Sequence, residues 1–369
     1  MTGVVFFAVL LLADVNFAGS IYVNQPTLVT EAQGQDKRDL LGDTTYGMNA
    51  EAAFKVVAEV QDHVSASAKV CYGCHGFMAD MAYFDWTIAD QFNVRAGRFP
   101  VPFGEFYLRH DPANHRSATK PLPYEMGRML RRNQFNLAVL PEPYPDNGVE
   151  LFGTFRGETA ELSYSAYAVS GLKGDAATGD LDFIRSRSEY VADNNRSPTA
   201  GGRLTLAFPN LPVSAWRWFA LGLSGMWGHY DDDDELTYLL GGVDLYTRVQ
   251  KINLRGEVMF RRTEIPNAQA AFRNTLQDLY VQRDGFYVEL DGPLADYFEW
   301  LVRFDGFRRS GALPVASTLE STDSRIYRYT GGFNILPTTG VKLKLSYEYW
   351  QFSDFPAAQI VHTGLVGTF

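Results

Sequence analysis

Val341-Lys-Leu-Lys-Leu-Ser-Tyr-Glu-Tyr-Trp350 alternates without a break. Val341, Leu343, Leu345, Tyr347 and Tyr349 fall on one face of an extended chain, and Lys342, Lys344, Ser346 and Glu348 on the other. Lys251 to Arg261 repeats the pattern, with Ile252, Leu254, Gly256, Val258 and Phe260 opposed by Lys251, Asn253, Arg255, Glu257 and Arg261. A soluble sandwich buries such apolar faces against a second sheet, whereas a transmembrane barrel turns them to lipid and keeps the charged faces around water. Alternation alone does not separate the two.

The spacing between strands does. Asn334 to Gly340, Asp291 to Asp296, Arg248 to Lys251 and Pro209 to Val213 read as short turns. Longer polar segments fall between them: Ser310 to Thr322, Thr263 to Tyr280, and the stretch holding Asp231 to Asp234. Regular alternation of short turns and long loops is the habit of outer-membrane barrels. At the C-terminus, Gly364-Leu-Val-Gly-Thr-Phe369 places Phe369, Leu365 and Val361 on one strand face, similar to the signal read by barrel-assembly machinery, although Gly367 stands where a bulky residue is usual. The last strand then runs toward the periplasm.

Counting from that end gives about 14 strands if Val64 to Ile88 is one strand, or about 16 if it is a hairpin and Asp14 to Asn24 opens the sheet. A single strand of that length would rise roughly 80 Å, at about 3.3 Å per residue, far beyond a membrane's needs. The expectation is therefore an all-β, antiparallel, 16-stranded transmembrane barrel. Residues 1–13 read as a signal-peptide remnant, since Val4 to Ala13 is apolar but no Lys or Arg precedes it, and residues 14–369 read as a single domain.

Composition agrees. Of 369 residues 14% are aromatic, with 26 Phe, 20 Tyr and 33 Gly, yet mean hydropathy is only -0.17 and no apolar run of about 18 residues provides a membrane helix. The net charge of -10 argues against nucleic acid as a partner, because phosphate binding needs a basic surface.

Arg95-Ala-Gly-Arg-Phe-Pro-Val-Pro-Phe-Gly104, following the strand Ala82 to Ile88, resembles the phosphate-selective porin O and P group. Asp146-Asn-Gly-Val-Glu-Leu-Phe-Gly153 and the Asn194-Asn195-Arg196 entry to Thr199 to Phe208 are similar to the same group. The resemblance implies a wide barrel in the bacterial outer membrane, a loop folded into its lumen, and passive diffusion of small polar or anionic solutes. It also implies outer-membrane lipid and barrel-assembly machinery as partners, and association into a homotrimer. Anion preference in that group comes from lumenal lysines, which have no residue-by-residue match here.

Glu105 to Gln134 is the longest segment between two strands and sits where porins narrow the pore. Its Arg109, Arg116, Lys120, Arg128, Arg131 and Arg132 outnumber Glu105, Asp111 and Glu125, so a cationic constriction that passes anions is one reading. The other is a solvated loop whose arginines pair with wall carboxylates. Alternation assigns Lys251, Arg255, Arg261, Arg303, Lys342 and Lys344 to the lumen wall, beside Glu257, Asp305 and Glu348. Asp231 to Asp234 offer hard oxygen ligands, but without the EF-hand spacing they read as a charged surface loop, and no metal site is expected. No Ser-His-Asp triad or carboxylate pair of recognisable spacing appears, so no catalytic site is expected either.

Both cysteines occur in Cys71-Tyr-Gly-Cys74-His75, the attachment sequence of c-type haem, with Cys71 and Cys74 as thioether donors and His75 as axial ligand. Met126, Met129, His110 and His115 are the candidates for a second ligand. A local disulfide is the alternative, favoured by an oxidising compartment. Three readings thus stand: a passive pore without cofactor, a monohaem porin-cytochrome carrying electrons across the outer membrane, and a soluble β-rich enzyme.

Overall fold

The computed structural model describes residues 14–29, 48–73, 76–125, 138–175, 180–181, 183, 186, 193–209, 216–265, 280–315, 318–321, 323–353 and 356–369. Sixteen antiparallel strands close on themselves: β1 (Asp14–Leu28), β2 (Asn49–Gln61), β3 (Val64–Gly73), β4 (Gly76–Ala89), β5 (Phe92–Pro100), β6 (Pro145–Arg156), β7 (Glu161–Val169), β8 (Thr199–Phe208), β9 (Trp216–His229), β10 (Thr237–Val249), β11 (Ile252–Glu264), β12 (Tyr280–Ala295), β13 (Phe298–Val315), β14 (Ser324–Thr338), β15 (Val341–Phe352) and β16 (Ala358–Thr368). Each strand pairs with its neighbours in sequence, and β16 pairs with β1 from Ser20–Thr368 to Leu28–Ile360, so the sheet has no free edge. Val64 to Ile88 is a hairpin, which excludes the 14-strand count.

Alternation gives each strand a lipid face and a lumen face. In β15, Leu343, Leu345 and Tyr347 are 42–51% exposed on the outside, while Lys344, Ser346 and Glu348 are at most 1% exposed within. The apolar faces thus lie outside, on a closed wall of one sheet, and the soluble-enzyme reading fails on this point. On one rim the connections are tight, as at Asp62-His63, Asp90-Gln91, Gln250-Lys251, Asp296-Tyr297 and Thr339-Gly340. His63, Gln250 and Gly340 take left-handed conformations that reverse the chain within two residues. Three of these turns are shorter than the sequence reading of Arg248 to Lys251, Asp291 to Asp296 and Asn334 to Gly340, because the strand ladders continue through the polar residues at their ends. The same happens on the opposite rim, where Thr318–Ser321 pairs back onto β13 and turns much of Ser310 to Thr322 into a hairpin extension.

The seam is sealed by the last residue. Phe369 and Gly19 exchange both backbone hydrogen bonds, at 2.9 and 3.1 Å. The Phe369 ring occupies the space where a Cβ on Gly19 would stand, so only glycine fits there. Residues 1–13, expected to be a signal remnant, lie outside the described residues.

Candidate functional site: the lumen and its inward loop

Between β5 and β6 the chain leaves the wall and enters the barrel. The Val101 N–H bonds to the Tyr144 carbonyl at the loop's base (3.0 Å), and Gly104 turns at φ +67, where a Cβ would collide with Glu257 and Tyr124. Phe103, Phe106, Leu122, Tyr124, Val139 and Leu140 then join lumenal Met259, Tyr287, Phe307 and Trp350 in an apolar core that continues to Tyr167 on β7, Met226 on β9 and Leu240 on β10. Such burial holds the loop without reference to charge.

Charged contacts fix its position. Lys344 donates to the carbonyls of Pro112, His115 and Ser117 (2.5–2.9 Å). Arg303 donates to the carbonyls of Thr119 and Lys120, and Arg328 to that of Lys120 while also pairing with Asp305 and Glu348. The Leu122 N–H and the Tyr124 hydroxyl bond to the carboxylates of Asp305 and Glu257. Buried charges are tolerable only when satisfied in this way.

The cations expected at the constriction are drawn into the same network. Arg109 pairs with Glu105 (2.8 Å) and with Glu289 on β12 (3.4 Å), and Arg116 with Asp291 and with Glu299 (3.0 Å). Lys120 donates to the Glu142 carbonyl. Arg128, Arg131 and Arg132 lie outside the described residues, as do Met126 and Met129. On the wall, Arg255 pairs with Asp291 and Glu105, Arg261 donates to the Val139 carbonyl, and Lys342 pairs with Glu299 (3.1 Å). Lys251 is not on the wall: it stands exposed in the turn with Gln250, because β10 ends at Val249 and the reversal takes up both residues. Asp231 caps its own connection by accepting the N–H groups of Glu235 and Leu236, and Asp232 accepts from Asn194. Among the described residues no cluster of His, Cys, Asp or Glu suits a metal ion.

The open part of the lumen lies on the other side. A cavity of about 1040 Å³ runs along β1 to β10 between the wall and loop residues Tyr107, Leu108, His110 and Asp111. It is bordered by Lys55, Lys69, Arg95 and Arg203 and by Glu105, Glu150 and Asp244. Arg95 bonds to Asp85 and Glu150 (2.7 and 3.0 Å) with Tyr83 and Phe152 against its guanidinium, and Arg203 bonds to Asp244. Lys55 forms no ion pair among the described residues, and its cross-strand neighbour is another cation, Lys69. Lys69, Arg203 and Arg328 were absent from the sequence reading, and Arg95 entered it only within the motif that carries the family resemblance. The alternation of β3, with Ser65, Ser67, Lys69 and Cys71 against Ala66, Ala68, Val70 and Tyr72, carried the signal that could have found Lys69.

Residues 37–251, more than half of the chain, match the family described as phosphate-selective porin O and P. The chain belongs to that family. It is an outer-membrane porin, a channel for small solutes. No curated protein matches it in sequence. Among solved structures, an anion-selective porin from Comamonas acidovorans has 12% identity and a TM-score of 0.60, with 97% of this chain and all of that one covered. The outer-membrane channel DcaP of Acinetobacter baumannii has 11% identity and a TM-score of 0.56, covering 97% of both chains. OmpF of Salmonella typhi, in complex with daunomycin, has 11% identity and a TM-score of 0.56, over 97% of this chain and 98% of that one. At such identities the likeness speaks to the fold.

In the porin, the Cys71 thiol donates to the Asp80 carboxylate (2.8 Å) on the lumenal side of β3, and Cys74 and His75 lie outside the described residues. His110 is committed to the loop by hydrogen bonds, whereas both ring nitrogens of His115 are buried without a hydrogen-bond partner. The His110 Nδ1–H donates to the Tyr107 carbonyl, and the His115 ring packs at 5.8 Å from that of Phe106.

Proposed function

We propose that small polar and anionic solutes cross this porin by passive diffusion along the β1 to β10 half of the lumen. The observation that carries this reading is the division of the barrel. The loop and its buried ion pairs fill one half, while the cavity of about 1040 Å³ occupies the other. Most charges beside that cavity are paired across it or along the wall, so the passage presents both signs at close range and suits polar solutes. Lys55 tips the balance toward anions, since an unpaired ammonium in a water-filled channel attracts them within about 8 Å at physiological salt. Arg109, Arg116, Arg303 and Lys344 serve to hold the loop rather than to select ions.

In the same reading the outward faces contact outer-membrane lipid, Phe369 is what barrel-assembly machinery grips, and family membership supports a trimer. Reversal potentials across a planar bilayer in a salt gradient test the selectivity. Lys55→Glu is expected to move the potential toward cations, and an unmoved potential would remove Lys55 from the mechanism. On the reading without cofactor the protein is expected to be colourless from a host that matures c-type cytochromes, and a Soret band there would establish the alternative, haem at Cys71, Cys74 and His75.

A further inference from the structure

The loop meets the wall on two sides, and the two contacts differ in kind. Against β11 to β15 it is held by apolar packing and many buried bonds. Against β3 it is held by one cluster. Lys69 Nζ donates to both oxygens of Asp111 (2.6 and 2.9 Å) and to His110 Nε2 (3.3 Å), with Asp80 at 3.5 Å completing its surroundings. The geometry also settles the imidazole. Because Nδ1–H is given to the Tyr107 carbonyl, Nε2 is the acceptor that faces the ammonium.

This cluster stands where the lumen narrows. The large cavity is continued toward the β3–β4 connection by one of only about 60 Å³, lined by Cys71, Met78, Asp80 and Pro143, which has room for a few water molecules. The two cavities share Ser20 and Ala53 from the wall and His110 and Asp111 from the loop. The neck therefore passes between β1–β2 and the loop segment that Lys69 pulls toward β3.

We infer that Lys69, Asp111 and His110 form a latch that sets the aperture of the channel, and that its release lets the loop segment swing off β3 and admits larger solutes. The inference rests on the diffusion path proposed above. Lys69 and Asp111 are then size-determining residues for the porin. Their charge contributes less to selectivity than that of Lys55, since each largely cancels the other. The latch is releasable because the segment from Tyr107 to Asn114 has few apolar anchors on this side: Leu108 is 65% exposed and borders the cavity. A charge-assisted tie of this kind is worth about tenfold or more in the ratio of closed to open forms.

The test uses neutral probes, which report size without charge. Full-length porin is reconstituted into liposomes, and swelling is followed with a series from monosaccharide to tetrasaccharide, alongside single-channel conductance. Lys69→Met and Asp111→Asn are compared with wild type and with Asp233→Asn in the exposed β9–β10 connection. Heat-modifiable mobility on gels verifies that each barrel is closed. Expected are a higher size cut-off and higher conductance for both latch variants, with Asp111→Asn the milder because its amide oxygen still accepts from Lys69. If both closed variants keep the wild-type cut-off and conductance, the latch is overturned while the diffusion path stands. A wild type that conducts nothing would overturn the path and the latch with it.

Discussion

Lys55, Lys69, Arg95 and Arg203, on the strands from β2 to β8, border about 1040 Å³ of open lumen, whereas Met259, Tyr287, Phe307 and Trp350, on β11 to β15, meet the loop, and the recess left at the rim of tight turns beneath Ala113 holds about 630 Å³. Both halves are built from the same alternation, with Arg95, Arg203 and Lys69 on one and Arg255, Arg303, Arg328 and Lys344 on the other. What differs is what the cations bind. On the filled half Arg303, Arg328 and Lys344 reach the loop's backbone carbonyls and are buried from water, while Arg255 pairs with Asp291 and with Glu105 of the loop. On the open half Arg95 and Arg203 bind carboxylates of the wall beside the passage, and Lys69 is tied to Asp111 of the loop. A lumenal cation that the loop covers is thus committed to holding it, and the strand that bears the cation does not decide.

The largest effect expected from this contrast is on stability. Arg328 is fully buried among Asp305, Glu348, the Lys120 carbonyl and the Trp350 ring. Arg328→Met leaves two buried carboxylates with fewer partners, and breaking a buried pair from one side costs about 3–5 kcal/mol. The temperature at which the heat-modifiable band converts should fall well below that of wild type. Arg156→Met, which removes the exposed pair with Asp90 and Glu161, should stay within about 0.5 kcal/mol of it. Equal behaviour of the two variants would break the distinction between halves.

A second effect sharpens the comparison through pH. Burial depresses the basicity of His115 far below the ordinary imidazole value, and the cations Lys344, Arg109, Lys120 and Arg303 add to this. Burial also lowers His110, with Lys69 and Lys120 acting in the same direction and Asp111 opposing. Asp111 is raised by burial, but His110 and Lys69 outweigh this and hold its carboxyl at about 2. An undocked loop takes up imidazole protons near pH ~6.5, and the docked loop only at lower pH. The undocked form therefore binds more protons, and docking is at full strength above about pH 7 and weakens as pH falls through 6.5. Conductance and protease sensitivity of the loop should both rise between pH 7.5 and pH 5, and His115→Asn should flatten the change. A flat wild-type profile would show that the imidazoles play no part in docking.

The fold was largely legible before the structure, because alternation over ten residues, as in Val341 to Trp350, distinguishes two faces and a closed sheet needs both. Even the Val64 to Ile88 hairpin followed from length alone. The lumen was less legible. Alternation places Arg303 and Lys344 inside but says nothing of the loop that covers them, since loop docking depends on contacts between residues more than 180 positions apart. The excess of cations in Glu105 to Gln134 left two readings, a selective ring and arginines paired with wall carboxylates, and Arg109 and Arg116 follow the second, finding Glu289, Asp291 and Glu299 on β12 and β13, partners that no local pattern identifies. Strand ends were misjudged for the opposite reason: polar residues such as Asp291 and Asn334 look like turn formers, but the ladder continues through them and carries them within strands.

The smallest expected effect concerns Lys251, where the two readings of one residue meet. Counted by alternation from Ile252 it belongs on the lumen wall beside Arg255, and a wall cation would add to anion preference. The structure ends β10 at Val249 and gives Gln250 and Lys251 to the turn, with Lys251 exposed at the periplasmic rim. Charges held in bulk water are screened beyond about 8 Å at physiological ionic strength. Lys55 differs because it borders the cavity itself. Lys251→Glu should leave the reversal potential close to wild type and shift conductance only at low salt, while Lys55→Glu moves the potential at every salt concentration. A Lys251→Glu shift as large as that of Lys55→Glu would mean that the periplasmic rim, rather than the passage along β1 to β10, sets the ion preference.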